Sequence, residues 1–224
     1  MVTFKFLVVN LFLILCVVWN IFHHKQYLIK QEELGKYNEN IKPYGYYYVD
    51  SRDSMRRQYT VEQEALGKEK YASDSNSLIL INSFKFFILK PDGFGYKGYE
   101  STGYSSTIDS VKFYNHERLH LSFEKSLHNP NSNLYKNPSI INSCIYRVRN
   151  DSILVQNYFH TQFGNYDLME TKGIVLKDGD INFYEQYNYW NKKITKINVT
   201  YTFKTYKNYD IPNYFDQNKK KFWK

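Results

Sequence analysis

His116-Glu117-Arg118-Leu119-His120 is a literal H-E-x-x-H. On a helix this spacing puts two imidazoles on one face, with the glutamate as general base on a zinc-bound water. It marks His116 and His120 as candidate metal ligands and Glu117 as the candidate base. The chemistry stands or falls with that helix. Leu119, Leu121 and Phe123 alternate with His120 and Ser122, which is the period of a strand. On a strand rising ~3.3 Å per residue, the two imidazoles stand about 13 Å apart, too far to share one ion. The next glutamates are Glu124 and Glu170, and no glycine or histidine completes an extended motif. The segment therefore predicts a hairpin, Val111 to Tyr114 with Arg118 to Phe123, carrying exposed histidines. No resident metal and no catalytic residue are expected. A zinc-dependent hydrolase working through the HERLH motif is the alternative.

Gly93-Phe94-Gly95-Tyr96-Lys97-Gly98 is a literal G-x-G-x-x-G. A dinucleotide site needs a helix to begin there and hold the pyrophosphate on its N-terminus. The glycines lead instead into Tyr99-Glu100-Ser101-Thr102-Gly103, turn and strand material, so turn chemistry explains them and no cofactor is expected. Asn150-Asp151-Ser152 and Asn198-Val199-Thr200 fit the glycosylation pattern, as chance provides in an Asn-rich chain. With two cysteines, Cys16 and Cys144, there is no disulfide framework, and packing must hold the fold. The net charge is +8. Its basic residues are spread among acidic ones except at Lys219, Lys220, Lys221 and Lys224, a solvated basic tail, so no nucleic-acid partner is expected.

The elements that would position any such residues begin with Phe4 to Phe22, FKFLVVNLFLILCVVWNIF, the only long apolar run. As a helix it spans about 28 Å, close to a bilayer's ~30 Å hydrocarbon core. Trp19 and Phe22 fit an aromatic belt at its end. No Ala, Gly or Ser lies between Phe4 and Leu34, which disfavours signal cleavage. Leu15 before Cys16 departs from a lipid-attachment site. The expectation is an uncleaved single-pass anchor over 1–24, with a juxtamembrane helix and linker over 25–42. Lys25, Lys30, Lys36 and Lys42 come after the span and, by the positive-inside rule, favour a cytoplasmic domain. The order of basic residue, apolar run and β-rich domain favours export, and the extracytoplasmic side is adopted.

Residues 43–224 read as a single antiparallel β domain, with a short helical insertion near 60–70. Strand patterns run through Tyr44–Val49, Leu78–Lys90, Phe94–Tyr99, Cys144–Val148, Ile153–His160, Asp167–Val175, Ile181–Tyr189 and Ile197–Tyr206, besides the hairpin at 111–123. Pro91-Asp92-Gly93, Asn150-Asp151 and Lys177-Asp178-Gly179 mark the turns. Nine or ten short strands joined by hairpins predict an all-β meander, curled into a barrel or strongly bent sheet that removes its edges.

Several stretches resemble uncharacterised lipocalin-like β proteins tethered to bacterial envelopes. These are the anchor, Gly45 to Tyr48 (GYYY), Lys90 to Gly93 (KPDG), Cys144 to Val155 (CIYRVRNDSILV) and Lys172 to Ile181 (KGIVLKDGDI). The resemblance implies a fold and a location in the cell envelope, and no reaction. The leading expectation is a non-enzymatic, membrane-tethered domain binding a small apolar or amphipathic ligand, or an envelope partner protein. A purely structural or assembly role is the third reading.

Overall fold

The structure, a computed structural model, describes residues 28–34, 41–56, 78–101, 116–136, 138–161, 166–206 and 211–223. The expected membrane span and the helical insertion near 60–70 lie outside these residues. Among the described residues, no helix is long and apolar enough to cross a membrane.

Eight antiparallel strands close into one barrel: β1 (Gly45–Arg56), β2 (Leu78–Leu89), β3 (Phe94–Ser101), β4 (Ser143–Arg149), β5 (Ser152–His160), β6 (Tyr166–Val175), β7 (Ile181–Asn188) and β8 (Lys193–Thr205). Each strand pairs with its neighbour in sequence, and β8 returns to β1 through Gly45↔Thr205 to Tyr48↔Thr202. The meander and its curl into a barrel are thus present, with eight strands among the described residues. Turn chemistry pins the hairpins. Gly93 (φ 84°) and Gly179 (φ 88°) sit in the left-handed region at the β2–β3 and β6–β7 turns, where a residue without Cβ meets no steric clash.

Alternation along the strands sorts the side chains into three apolar clusters. The first contains Tyr47, Phe87, Leu89, Cys144, Tyr146, Ile153, Val155, Ile181, Phe183 and Tyr201. Phe87 of β2 meets Phe183 of β7 and Tyr201 of β8, at ring separations of 5.4 and 5.1 Å. Rings from strands that are not neighbours can touch only across the lumen, so this cluster is the barrel interior.

The other two clusters lie outside the barrel. A helix, α1 (His116–Leu127), lays Leu119, Phe123 and Leu127 on Tyr46, Phe84, Phe86, Ile88 and Tyr96 of β1–β3. The hairpin expected over 111–123 is corrected here: residues 116–123 are helical, and 111–115 lie outside the described residues. The apolar positions Leu119, Phe123 and Leu127 recur at i, i+4 and i+8, which buries one helical stripe. Leu121, which lent the segment its strand-like alternation, is 49% exposed.

The third cluster covers β4–β6. Leu28 and Ile29 join Phe215 and Phe222 against Ile145, Tyr158 and Leu168. The juxtamembrane helix expected over 25–42 is corrected in its described part, where 28–34 contain only a 3-10 turn, Gln31–Glu33. Tertiary bonds hold this chain extended. Ile29 N–H donates to Gln156 Oε1 at 2.8 Å, and the Ile29 carbonyl accepts from Trp223 Nε1–H at 2.9 Å. The expected solvated tail is also built in. After the four-residue turn α2 (Asn133–Lys136), the chain ends in α3 (Tyr214–Gln217) and α4 (Lys219–Phe222). Asn213 caps α3 through its side chain, and α4 buries Phe222 while Lys220 and Lys221 stay exposed.

Candidate functional site: the open end of the barrel

The interior is graded along its axis. Strand β8 shows the gradient most plainly, with Tyr201 buried, Val199 and Ile197 half-buried, and Thr195 and Lys193 exposed, all on the interior-facing parity. On β1 the same order runs from buried Tyr47 to half-buried Val49 and Ser51. Across β2 and β3, Phe87 and Leu89 are buried, while Lys85 and Tyr99, which face each other in register, are exposed. Among the described residues, side-chain exposure on the interior face of β1, β2, β3 and β8 therefore rises toward this end, above a floor of Tyr47, Phe87, Tyr146, Phe183 and Tyr201, while Asn157 and Asp167 on β5 and β6 stay buried. An eight-stranded barrel is just wide enough for its own side chains to fill or for one small ligand.

Lys97 stands at the boundary between floor and opening. It is the register partner of Phe87 and lies two residues beyond Gly95, which faces Cys144, so its side chain shares the interior face. It is half-buried. Burial pulls its ammonium below the ordinary lysine pKa; Cys144 opposes this, and Lys85 lowers it further. No salt bridge reaches Lys97 or Lys85 among the described residues. Cys144 is fully buried, and burial pushes its thiol up to about 12, so it is neither a counter-ion nor a nucleophile at neutral pH. Asn157, opposite Cys144, and Thr171, opposite Val155, are buried polar groups on the same lining.

An ammonium partly desolvated without a counter-ion works against folding. Lys97→Met, which keeps the length and removes the charge, is therefore expected to raise stability at pH 7 by about 1 kcal/mol, read as a higher urea midpoint at unchanged slope. The sign in pH follows from the lowered pKa. Lys97's penalty is absent above the ordinary lysine value, grows as pH falls below that value and is complete once pH is below its lower folded value. The gain from methionine should fade at strongly alkaline pH. A loss of stability at pH 7 would show that the ammonium is satisfied in the fold.

The residues singled out by the HERLH motif lie elsewhere, on α1 against the outer face of β1–β2. The helix that zinc chemistry requires is present, yet each histidine is already committed. His116 Nε2–H donates to the Ser51 carbonyl at 3.0 Å. His120 Nε2 lies 3.0 Å from Asp50 Oδ1, and its Nδ1 lies 2.8 Å from the Tyr46 hydroxyl. The Tyr46 hydroxyl also reaches Glu124 Oε1 at 2.9 Å, and Lys204 Nζ lies 2.8 Å from the same oxygen. Glu117 is exposed. Among the described residues, no group of three or more His, Cys, Asp or Glu is placed to hold an ion.

His120 is 5% exposed, stacked on Phe84 at 4.2 Å and edge-on to Tyr48 at 4.5 Å. Burial holds its pKa below the ordinary imidazole value, against the opposing hydrogen bond to Asp50. This arrangement fastens α1 to the barrel wall. The G-x-G-x-x-G glycines fall on the β2–β3 turn and on β3, with no helix beginning there. No sequence motif marks Lys97, because the parity of β3 relative to the lumen depends on barrel closure. Its one local signal was a lysine alternating with Gly95 and Tyr99 in a strand-like run.

Comparison with protein-family models, with curated proteins and with solved structures finds no match for this chain.

Proposed function

We propose that the chain is a non-enzymatic, membrane-tethered β-barrel that takes a small apolar or amphipathic ligand into its open end. The observation that carries this reading is the solvent-reached apolar lining. Val49, Ile197 and Val199 are half-buried on the interior face, above an aromatic floor in which the Tyr47 hydroxyl accepts from the Lys42 N–H at 2.9 Å and the Tyr146 hydroxyl donates to the Lys90 carbonyl at 2.6 Å. Interior apolar surface left in contact with water is where burial of a ligand gains most. The outer faces of β1–β6 are covered largely by α1, residues 28–34 and the C-terminal turns.

Native mass spectrometry of the full-length chain released from lipid nanodiscs tests it. The expected result is a retained small-molecule adduct, or one formed on adding a ten-carbon amphipath, at one per chain. Absence of both would sink the ligand reading and leave the assembly role.

The tether is Phe4 to Phe22, and the location proposed is the cell envelope, with the barrel on the extracytoplasmic side, as the lipocalin-like resemblance implies. Cys144 is too buried to report on sidedness, whereas Lys220 is exposed. A cysteine placed at Lys220 is expected to react with a membrane-impermeant maleimide on intact cells. Reaction only after permeabilisation would put the barrel in the cytoplasm.

A further inference from the structure

We infer that the ligand of this barrel carries an anionic head, which Lys97 binds, with Lys85 nearer the opening. The inference rests on the ligand reading and specifies its chemistry.

The argument is one of charge balance inside the lumen. Lys97 and Lys85 both face inward, on the register positions opposite Phe87 and Val49. The charged or titratable groups acting on Lys97 are Cys144 and Lys85, and the first is a neutral thiol at physiological pH. Asp167 shares the interior parity on β6, opposite Phe159. It is engaged by the Leu168 N–H, which donates to its Oδ1 at 2.8 Å, and it does not act on Lys97. Asp53 also stands on the interior parity, opposite Ile81 and beyond Ser51. The two rungs that join Tyr47, Phe87 and Lys97, and Val49, Lys85 and Tyr99, thus hold two cations and no anion at the level where the wall changes from aromatic to wet.

A ligand with an apolar tail would lie on Phe87, Tyr201 and Val199 and place its head beside Lys97. Its negative charge would return to the ammonium what burial takes from it. A carboxylate and a phosphate monoester share this chemistry. A neutral amphipath of equal length gains the burial and forgoes the ion pair.

The experiment compares decanoate, decyl phosphate and decanol on the full-length chain in lipid nanodiscs, by calorimetry with empty nanodiscs subtracted. Wild type is expected to bind at least one of the two anions about ten-fold or more tighter than decanol, the scale of one charge-assisted hydrogen bond. Lys97→Met should abolish the preference while leaving decanol binding unchanged, and Lys97→Arg should keep it. Lys85→Met should weaken it less, because Lys85 is exposed. Which anion is preferred separates a fatty-acid-like head from a phospholipid-like one. Equal binding of all three probes, or a preference that survives Lys97→Met, overturns the anion inference and leaves the ligand reading standing. No binding of any probe overturns the ligand reading itself.

Discussion

Replacing Phe183 by alanine is expected to destabilise the protein by about 3–5 kcal/mol, the range for deleting a buried aromatic ring from a packed core. Phe183 is 1% exposed. It lies on β7 opposite Gly173 of β6, close enough that a Cβ on that glycine would stand 2.8 Å from the Phe183 ring. The ring fills the space a side chain at 173 would otherwise occupy, and it meets Phe87 across the lumen and Tyr201 on the neighbouring strand. Its loss removes contacts on three strands at once. The barrel ring leaves little room for the wall to collapse inward, so the cavity term should be near its upper end. Urea denaturation of wild type and variant measures the difference. A loss under about 1 kcal/mol would mean that the floor is loosely packed.

His120→Ala is the second large effect, at about 2–4 kcal/mol. The ring is sandwiched among Phe84, Tyr46 and Tyr48, and its removal leaves Asp50 and the Tyr46 hydroxyl short of a partner. With a neutral ring giving its one N–H to Asp50, the Tyr46 hydroxyl proton faces two acceptors, His120 Nδ1 and Glu124 Oε1. Lys204, 2.8 Å from Glu124, helps hold that carboxylate. The pH sign is set by the lowered pKa. The unfolded chain binds the proton more readily than the folded one, so stability falls as pH drops below about 6.5 through the lower folded value. In the variant this slope should be absent. Faster amide exchange across His116–Leu127, with β4–β6 unchanged, would locate the loss at the helix. A loss below about 0.5 kcal/mol would show that α1 is held by Leu119, Phe123 and Leu127 alone.

The β architecture was legible because its signals are local. Gly179 after Lys177-Asp178 and the alternation through Ile153 to Val155 each specify a hairpin or a strand within a few residues. Closure was a choice between barrel and bent sheet, since the Gly45↔Thr205 pairing joins the two ends of the meander. The α1 segment misled because two periods overlap in it. Leu119, Leu121 and Phe123 satisfy a strand, while Leu119, Phe123 and Leu127 satisfy a helix, and only the apolar face of β1–β3 selects the second. Residues 28–34 misled for a related reason, because bonds to Gln156 and Trp223 override local helical preference. The candidate site was the least legible part. That Lys97 faces the lumen depends on register and closure, neither of which a five- or six-residue motif encodes.

The measurement that tests the central claim most directly is photolabelling of the full-length chain in lipid nanodiscs with a ten-carbon carboxylate carrying a diazirine in its tail. Labelled residues would be mapped by peptide mass spectrometry. A ligand-binding lumen predicts adducts on interior-facing residues such as Val49, Phe87, Val199 and Tyr201, suppressed by excess decanoate. Saturable adducts confined to outer surfaces, on α1 or around exposed Tyr184 and Ile194, would contradict it.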